Sequence, residues 1–96
     1  MTDLDPHIHA PARLQLVTML TAVTEAEFVT LRDAINVSDS VLSKHVSALA
    51  TVGYVASRKG MRDGRRTTWI RLTSKGHKAL KVHVAALRAL IDDLGP

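Results

Sequence analysis

The chain contains no cysteine. Disulfide stapling, thiolate metal sites and thiol nucleophiles are therefore excluded, and the composition fits a reducing compartment. Aromatic residues are nearly absent, with one Phe, one Tyr and one Trp in 96 residues. That is too few to build the stacking surfaces on which single-stranded nucleic acids are held. No window approaches the run of about 20 apolar residues that a membrane span needs. The first residues carry Asp3 and Asp5 before any basic residue and lack the apolar run of a signal peptide. A soluble, cytoplasmic protein is the expectation. No nucleophile elbow, phosphate loop or poised carboxylate pair is present, so a non-enzyme without a cofactor is expected. A chain of this size also has little room for a substrate cavity.

What is present is an uneven distribution of charge. The formal net charge is +4. Residues 1–43 hold two basic and six acidic side chains, whereas residues 44–81 hold ten basic side chains and one acid, Asp63. One face shaped for a polyanion is the reading that this asymmetry favours. Ninety-six residues make one domain, near the small end of what a single core stabilises, so burial by self-association would help. There is no internal repeat and no low-complexity run.

Residues 1–9 read as an N-terminal arm broken by Pro6, followed by one domain over 10–96. Pro11 suits a first helical turn, and Leu14, Val17 and Leu20, with Leu16 beside them, recur at helical spacing over roughly 10–22. "TEAE" at Thr24–Glu27 has the form of a capping box before a second helix of about a dozen residues carrying Phe28, Leu31 and Ile35. Asn36, which tolerates a left-handed backbone, ends that helix. Ser38 is a good N-cap for a third helix whose inward stripe is Leu42, Val46 and Leu49, stopped by Gly53. So short a connection between helices 2 and 3 forces a sharp crossing, the helix-turn-helix arrangement. The pattern then changes to β. "YVASRK" and "TTWIRLT" read as strands, and the loop between them, with Gly60, Asp63 and Gly64, reads as a flexible charged tip. Thr73 can cap the last helix. The expected fold is mainly α with a small β-hairpin, in the order α1-α2-α3-β-wing-β-α.

Counting about 100° per residue, the face of helix 3 opposite Leu42, Val46 and Leu49 carries Ser40, Ser43, Lys44 and Ser47. Small serines let a helix approach the floor of a major groove, and Lys44 can reach a base edge or a phosphate. Ser38 and the amides at the helix start can meet a phosphate oxygen. Arg58, Lys59, Arg62, Arg65 and Arg66 converge on the hairpin, where their mutual repulsion would be relieved by a phosphate backbone or by entry of an Arg into a minor groove. Trp69 and Tyr54 are expected to brace the wing rather than touch DNA.

"DPHIHAPARL", "LSKHVSALATVGYV", the basic hairpin and "IRLTSKGHKAL" together resemble the MarR/ArsR class of bacterial winged helix-turn-helix transcriptional regulators, in particular its compact members. The likeness runs from Leu4 to about Leu90. It implies a regulator of double-stranded DNA, a repressor more often than an activator, acting as a homodimer at the nucleoid. It also implies that helix 1 and the last helix supply the dimer interface. Leu14 and Val17 would contribute from the first, and Leu80, Val84, Leu87, Ile91 and Leu94 from the heptad-like stripe of the second.

Two alternatives stand beside this reading: a winged-helix adaptor whose basic wing meets an acidic protein surface, and a repressor that responds to a metal or an inducer. His77 and His83 are six residues apart and point about 120° away from each other, with no Asp or Glu between them, so no metal site is expected within one protomer. No residue names the ligand of an inducer pocket.

Overall fold

The computed structural model describes residues 3–95. Among these residues the chain forms four helices and three strands: α1 (Pro11–Leu20), β1 (Ala26–Glu27), α2 (Phe28–Ile35), α3 (Asp39–Thr51), β2 (Val55–Arg62), β3 (Arg65–Leu72) and α4 (Ser74–Asp92). The element order matches the expected winged helix, with one addition. β1 pairs antiparallel with β3, so the sheet has the order β1-β3-β2.

Local chemistry sets most boundaries. Pro11 opens α1, where its missing N–H leaves no donor unpaired. Asn36 closes α2 in the left-handed conformation, φ 56° and ψ 55°. Two residues later Ser38 starts α3, its hydroxyl accepting from the Val41 N–H at 3.2 Å. Arg32 of α2 spans the turn and donates to Asp39 at 2.8 Å and Asp33 at 3.0 Å. Those carboxylates hold the guanidinium above its ordinary pKa, Asp39 more than Asp33.

The segment Thr24–Glu27 departs from the expected capping box. Glu27 occupies the N-cap position of α2 but gives no side-chain cap, and α2 has eight residues rather than about twelve. Its carboxylate accepts instead from Arg62 at 2.6 Å and from Thr67 Oγ1 at 2.8 Å. Two partners, one of them cationic, outcompete a single backbone amide. Glu27 lies directly opposite Trp69, and Ala26 opposite Ile70. The hairpin also differs from a flexible tip. Strand pairing continues unbroken to Arg62↔Arg65, with Gly60 paired to Thr67. Asp63 and Gly64, φ 51° and 78°, make the two-residue turn, whose two positive φ values match the twist of the strands.

The core gathers Leu16, Val17 and Leu20 of α1, Leu31, Leu42 and Leu49 of the helix-turn-helix, and Val55, Ile70 and Leu72 of the sheet. Each fully buried Leu or Ile contributes about 1.5–3 kcal/mol of transfer free energy. Val17 is wholly enclosed by its own protomer. It therefore drops out of the expected dimer surface, since no part of it is left for a partner. Leu14, Leu80, Val84 and Leu87 are half-buried, while Ile91 and Leu94 are 65% and 83% exposed.

The N-terminal arm is tied to the body. Ile8 is fully buried. The Asp5 N–H donates to His83 Nδ1 of α4 at 2.9 Å, and the Tyr54 hydroxyl donates to the Asp5 carboxylate. That bond, with burial, pushes the Tyr54 phenol up to about 12. At the other end of the junction, Thr73 Oγ1 donates to the Gly53 carbonyl at 2.6 Å and accepts from the Gly76 N–H at 3.0 Å. Gly76 is buried so closely that a Cβ there would lie 2.2 Å from the Tyr54 carbonyl oxygen and 2.6 Å from Leu72 Cδ1.

Two predictions follow from these contacts. Gly76→Ala forces α4 off the Tyr54 backbone and should cost about 1–3 kcal/mol of stability, read as a lowered midpoint in urea. The second concerns pH. Burial and then the neighbouring His9 lower the His83 pKa, and burial and then Arg13 lower that of His45. Both groups protonate more readily in the unfolded chain. Their contribution is therefore full above the ordinary value of 6.5 and declines as the pH falls from there toward the lowered folded values. Thermal melts between pH 7.5 and 5 should show that decline, and His83→Gln, which retains an acceptor for Asp5, should flatten part of it.

Candidate nucleic-acid interface

Strand alternation divides the hairpin into two faces, and the register says which residues share each. On one face lie Val55, Ser57, Lys59 and Met61 of β2 with Leu72, Ile70, Thr68 and Arg66 of β3. On the other lie Ala56, Arg58, Gly60 and Arg62 with Arg71, Trp69, Thr67 and Arg65. At its base the first face enters the core through Val55, Ile70 and Leu72. Further out it forms a groove with the third helix, lined by Ser43, Val46 and Ser47 of α3, Phe28 of α2, and Ser57, Lys59, Thr68 and Ile70 of the sheet. Lys59 Nζ donates to Thr68 Oγ1 at 3.1 Å across the strands.

The structure thus brings Ser43, Ser47 and Lys59 to one concave surface, small hydroxyls on the helix side and a cation on the strand side. Ser40 and Lys44 are exposed on the same helix, Ser40 one turn before Ser43. The Ser38 hydroxyl, which caps α3, also lies 3.2 Å from Ser40 Oγ. Arg66 continues the groove-side face outward, opposite Met61. Arg65 stands exposed at the tip, on the other face.

Arg58 and Arg62 are placed differently. Both lie on the face away from the groove, and both meet an acid. Arg58 donates to both carboxylate oxygens of Glu25, through Nε at 3.0 Å and through a terminal nitrogen, while its guanidinium lies 5.5 Å from the Trp69 ring centre. Arg62 donates to Glu27. Hydrogen bonding to Arg58 lowers the Glu25 carboxyl below its usual range and raises the guanidinium in return. The repulsion expected among five hairpin cations is therefore relieved at two of them by glutamates of the same chain. Trp69 braces this back face, and Tyr54 braces the arm.

None of Glu25, Glu27, Thr67 and Thr68 was singled out from sequence as a site residue, and Glu27 was read only as a helix cap. The alternation of acids in "EAE" is the one local signal, and it reads equally well as helix-cap chemistry.

Among the described residues, no group of three or more His, Asp or Glu side chains lies close enough to hold a metal ion. His9 and His83 approach to 5.6 Å between ring centres, edge to face. No helix among the described residues is long and apolar enough to cross a membrane.

Comparison with known proteins gives a consistent result. An uncharacterized protein of Methanocaldococcus jannaschii is 31% identical over 72 residues, covering 75% of this chain and 78% of that one. The structure of a transcriptional regulator homologue from Pyrococcus horikoshii superposes with a TM-score of 0.86 at 26% identity, covering 94% and 89% of the two chains. The PcaV transcriptional regulator of Streptomyces coelicolor shares the fold at a TM-score of 0.77 and 19% identity; this chain is covered to 95% and spans 63% of that one. A zinc-responsive MarR family member, ZitR of Lactococcus lactis, does so at 0.63 and 18%, with 88% of this chain covered and 58% of that one. The fold is that of the MarR-type regulators. The family model for winged helix DNA-binding domains matches residues 12–91. Family model, relative and geometry agree: the chain belongs to the winged helix DNA-binding domain family.

Proposed function

We propose that the protein is a transcriptional regulator, a repressor, that binds double-stranded DNA as a homodimer in the cytoplasm, at the nucleoid, without catalysis. The observation that carries this reading is the groove shared by Ser43 and Ser47 of α3 with Lys59 and Thr68 of the hairpin. A helix edged with small hydroxyls fits the major groove, and a cation held beside it fits the phosphates at the groove's rim. Ser40, Ser43, Lys44 and Ser47 face the bases. Lys59 and Arg66 face the backbone, and Arg65 at the tip reaches the backbone or the adjacent minor groove. Ser38 caps α3 and lies beside a phosphate.

The apolar end of α4 supports the dimer. Leu90, Ile91 and Leu94 are exposed, at 39%, 65% and 83%. A helix end this apolar is stabilised by a partner. Leu14, Leu80, Val84 and Leu87, half-buried within the protomer, border that seam. A two-fold pair of recognition helices about one duplex turn apart would read a near-palindromic site.

Fluorescence anisotropy with labelled duplexes at several salt concentrations tests the DNA reading. Lys59→Ala with Arg66→Ala should weaken binding to all sequences and lower the slope of log K against log salt by about 1 per side chain removed. Ser43→Ala or Lys44→Ala should instead change which sequences a random duplex pool yields. Absence of binding to any duplex in dilute buffer overturns the reading and favours an acidic protein partner. For the dimer, sedimentation at micromolar concentration should show two protomers. Ile91→Glu with Leu94→Glu, both on exposed positions, should give a folded monomer with at least tenfold weaker DNA binding.

A further inference from the structure

We propose that Glu25 and Glu27 are specificity-determining residues: by holding Arg58 and Arg62 on the back of the hairpin they withhold two cations from the phosphate backbone and limit sequence-independent affinity. The inference rests on the DNA-binding reading above and goes beyond it, since neither glutamate touches the groove.

The back face is a built arrangement. Arg58 is held by two hydrogen bonds to Glu25 and lies over Trp69. Gly60 lies close beside it: a Cβ there would lie 2.7 Å from an Arg58 guanidinium nitrogen and 3.0 Å from the Trp69 ring, so the arginine would have to move. Arg58 is therefore seated between Gly60, Trp69 and Glu25. Glu27 has a side chain only 12% exposed, fixed on the sheet by pairing opposite Trp69, and it accepts from both Arg62 and Thr67. Three consecutive elements of the sheet thus contribute to one ionic layer on the side away from α3.

Stability alone is a weak reason for this layer. Both arginines are more than half exposed, and ion pairs with a partner this open to solvent contribute about 0–1 kcal/mol each. Their effect on a polyanion is larger in kind. A carboxylate in contact with a guanidinium cancels its field within a Debye length of about 8–10 Å, so a paired arginine releases no counterion from DNA unless the pair is broken. Five cations occupy Arg58–Arg66, and two of them are neutralised by Glu25 and Glu27. Lys59 and Arg66, on the groove side, and Arg65 at the tip stay outside those pairs. Sequence-independent affinity grows with each available cation, whereas discrimination depends on the ratio of specific to non-specific binding. Holding back two arginines lowers the non-specific term while leaving α3 untouched.

The test is the full-length Glu25→Gln/Glu27→Gln variant, which keeps side-chain shape and removes both charges. Its binding to a random-sequence duplex and to the best duplex recovered from a random pool is measured over a salt series. Random-duplex affinity should rise severalfold or more at low salt, and the log K against log salt slope should steepen by up to about 2 per protomer. The ratio of specific to random binding should fall. Adding Arg58→Gln/Arg62→Gln on that background should return the slope to the wild-type value. A merely structural role for the glutamates would instead lower the melting temperature and weaken both duplexes together, and that result overturns the inference. An unchanged slope overturns it as well. If the double variant fails to fold, Glu25→Gln alone carries the same test at about half the change in slope. Wild-type protein that binds no duplex sinks the DNA reading itself, whereas wild-type binding with no steepening in the variants sinks only this inference.

Discussion

β3 is paired on both of its edges, and the position of every proposed contact residue on the hairpin depends on that. Ile70 stands opposite Ala26 on one side and Ser57 on the other, with its own side chain in the core. Trp69 stands opposite Glu27 and Arg58. An isolated two-stranded hairpin is at best marginally stable in water and would swing about its base. The two-residue strand leading into α2 gives it a third strand and so fixes its angle to the helix-turn-helix. Because α2 begins at the next residue, Phe28, the hairpin's orientation is set from the same point that sets the helices. The groove between α3 and the hairpin is the geometric result.

A second constraint joins this unit to the long helix. β3 runs through Thr73 directly into α4, whose first turn lies against the Tyr54 carbonyl by way of Gly76. The arm adds a further tie, since Asp5 bridges Tyr54 and His83. Accepting through Nδ1 leaves His83 with its proton on Nε2, a buried nitrogen with no hydrogen-bond partner among the described residues. An unsatisfied buried donor costs about 1–3 kcal/mol, and that cost is borne at the contact between the arm and α4. Burial of Ile8 beside it acts in the opposite direction, by about 1.5–3 kcal/mol. Whatever moves α4 therefore also bears on the end of α3 and the start of β2.

Charge is distributed by the same geometry. The basic half of the chain was visible as composition, and the hairpin was visible as the place where it concentrates. Composition treats the five cations of Arg58–Arg66 alike. Alternation along two strands separates them, and residues some thirty positions earlier in the chain meet two of them. A surface that looks uniformly basic in the sequence has a groove side carrying cations and a back side where cations and carboxylates alternate.

Much of the fold was legible because it is governed by neighbours in the chain. Pro11, Asn36, Ser38 and Thr73 act through their own φ, ψ or nearest amides, and each stands where that chemistry predicts. The helix-turn-helix order and the opposite faces of α3 follow from spacing alone. Other features were decided only by the tertiary structure. The capping box at Thr24–Glu27 was a sound local reading that lost to Arg62 and Thr67, since a charged partner across the sheet binds a carboxylate more strongly than an amide does. Val17 fitted the helical pattern as well on the surface as in the core, and only the packing of α1 against the sheet and helices buried it. The arm gave no periodic signal at all, because its attachment lies 78 residues away at His83. Local conformational preference travels with the sequence. Which arginine finds which glutamate depends on distances that exist only once the chain has folded.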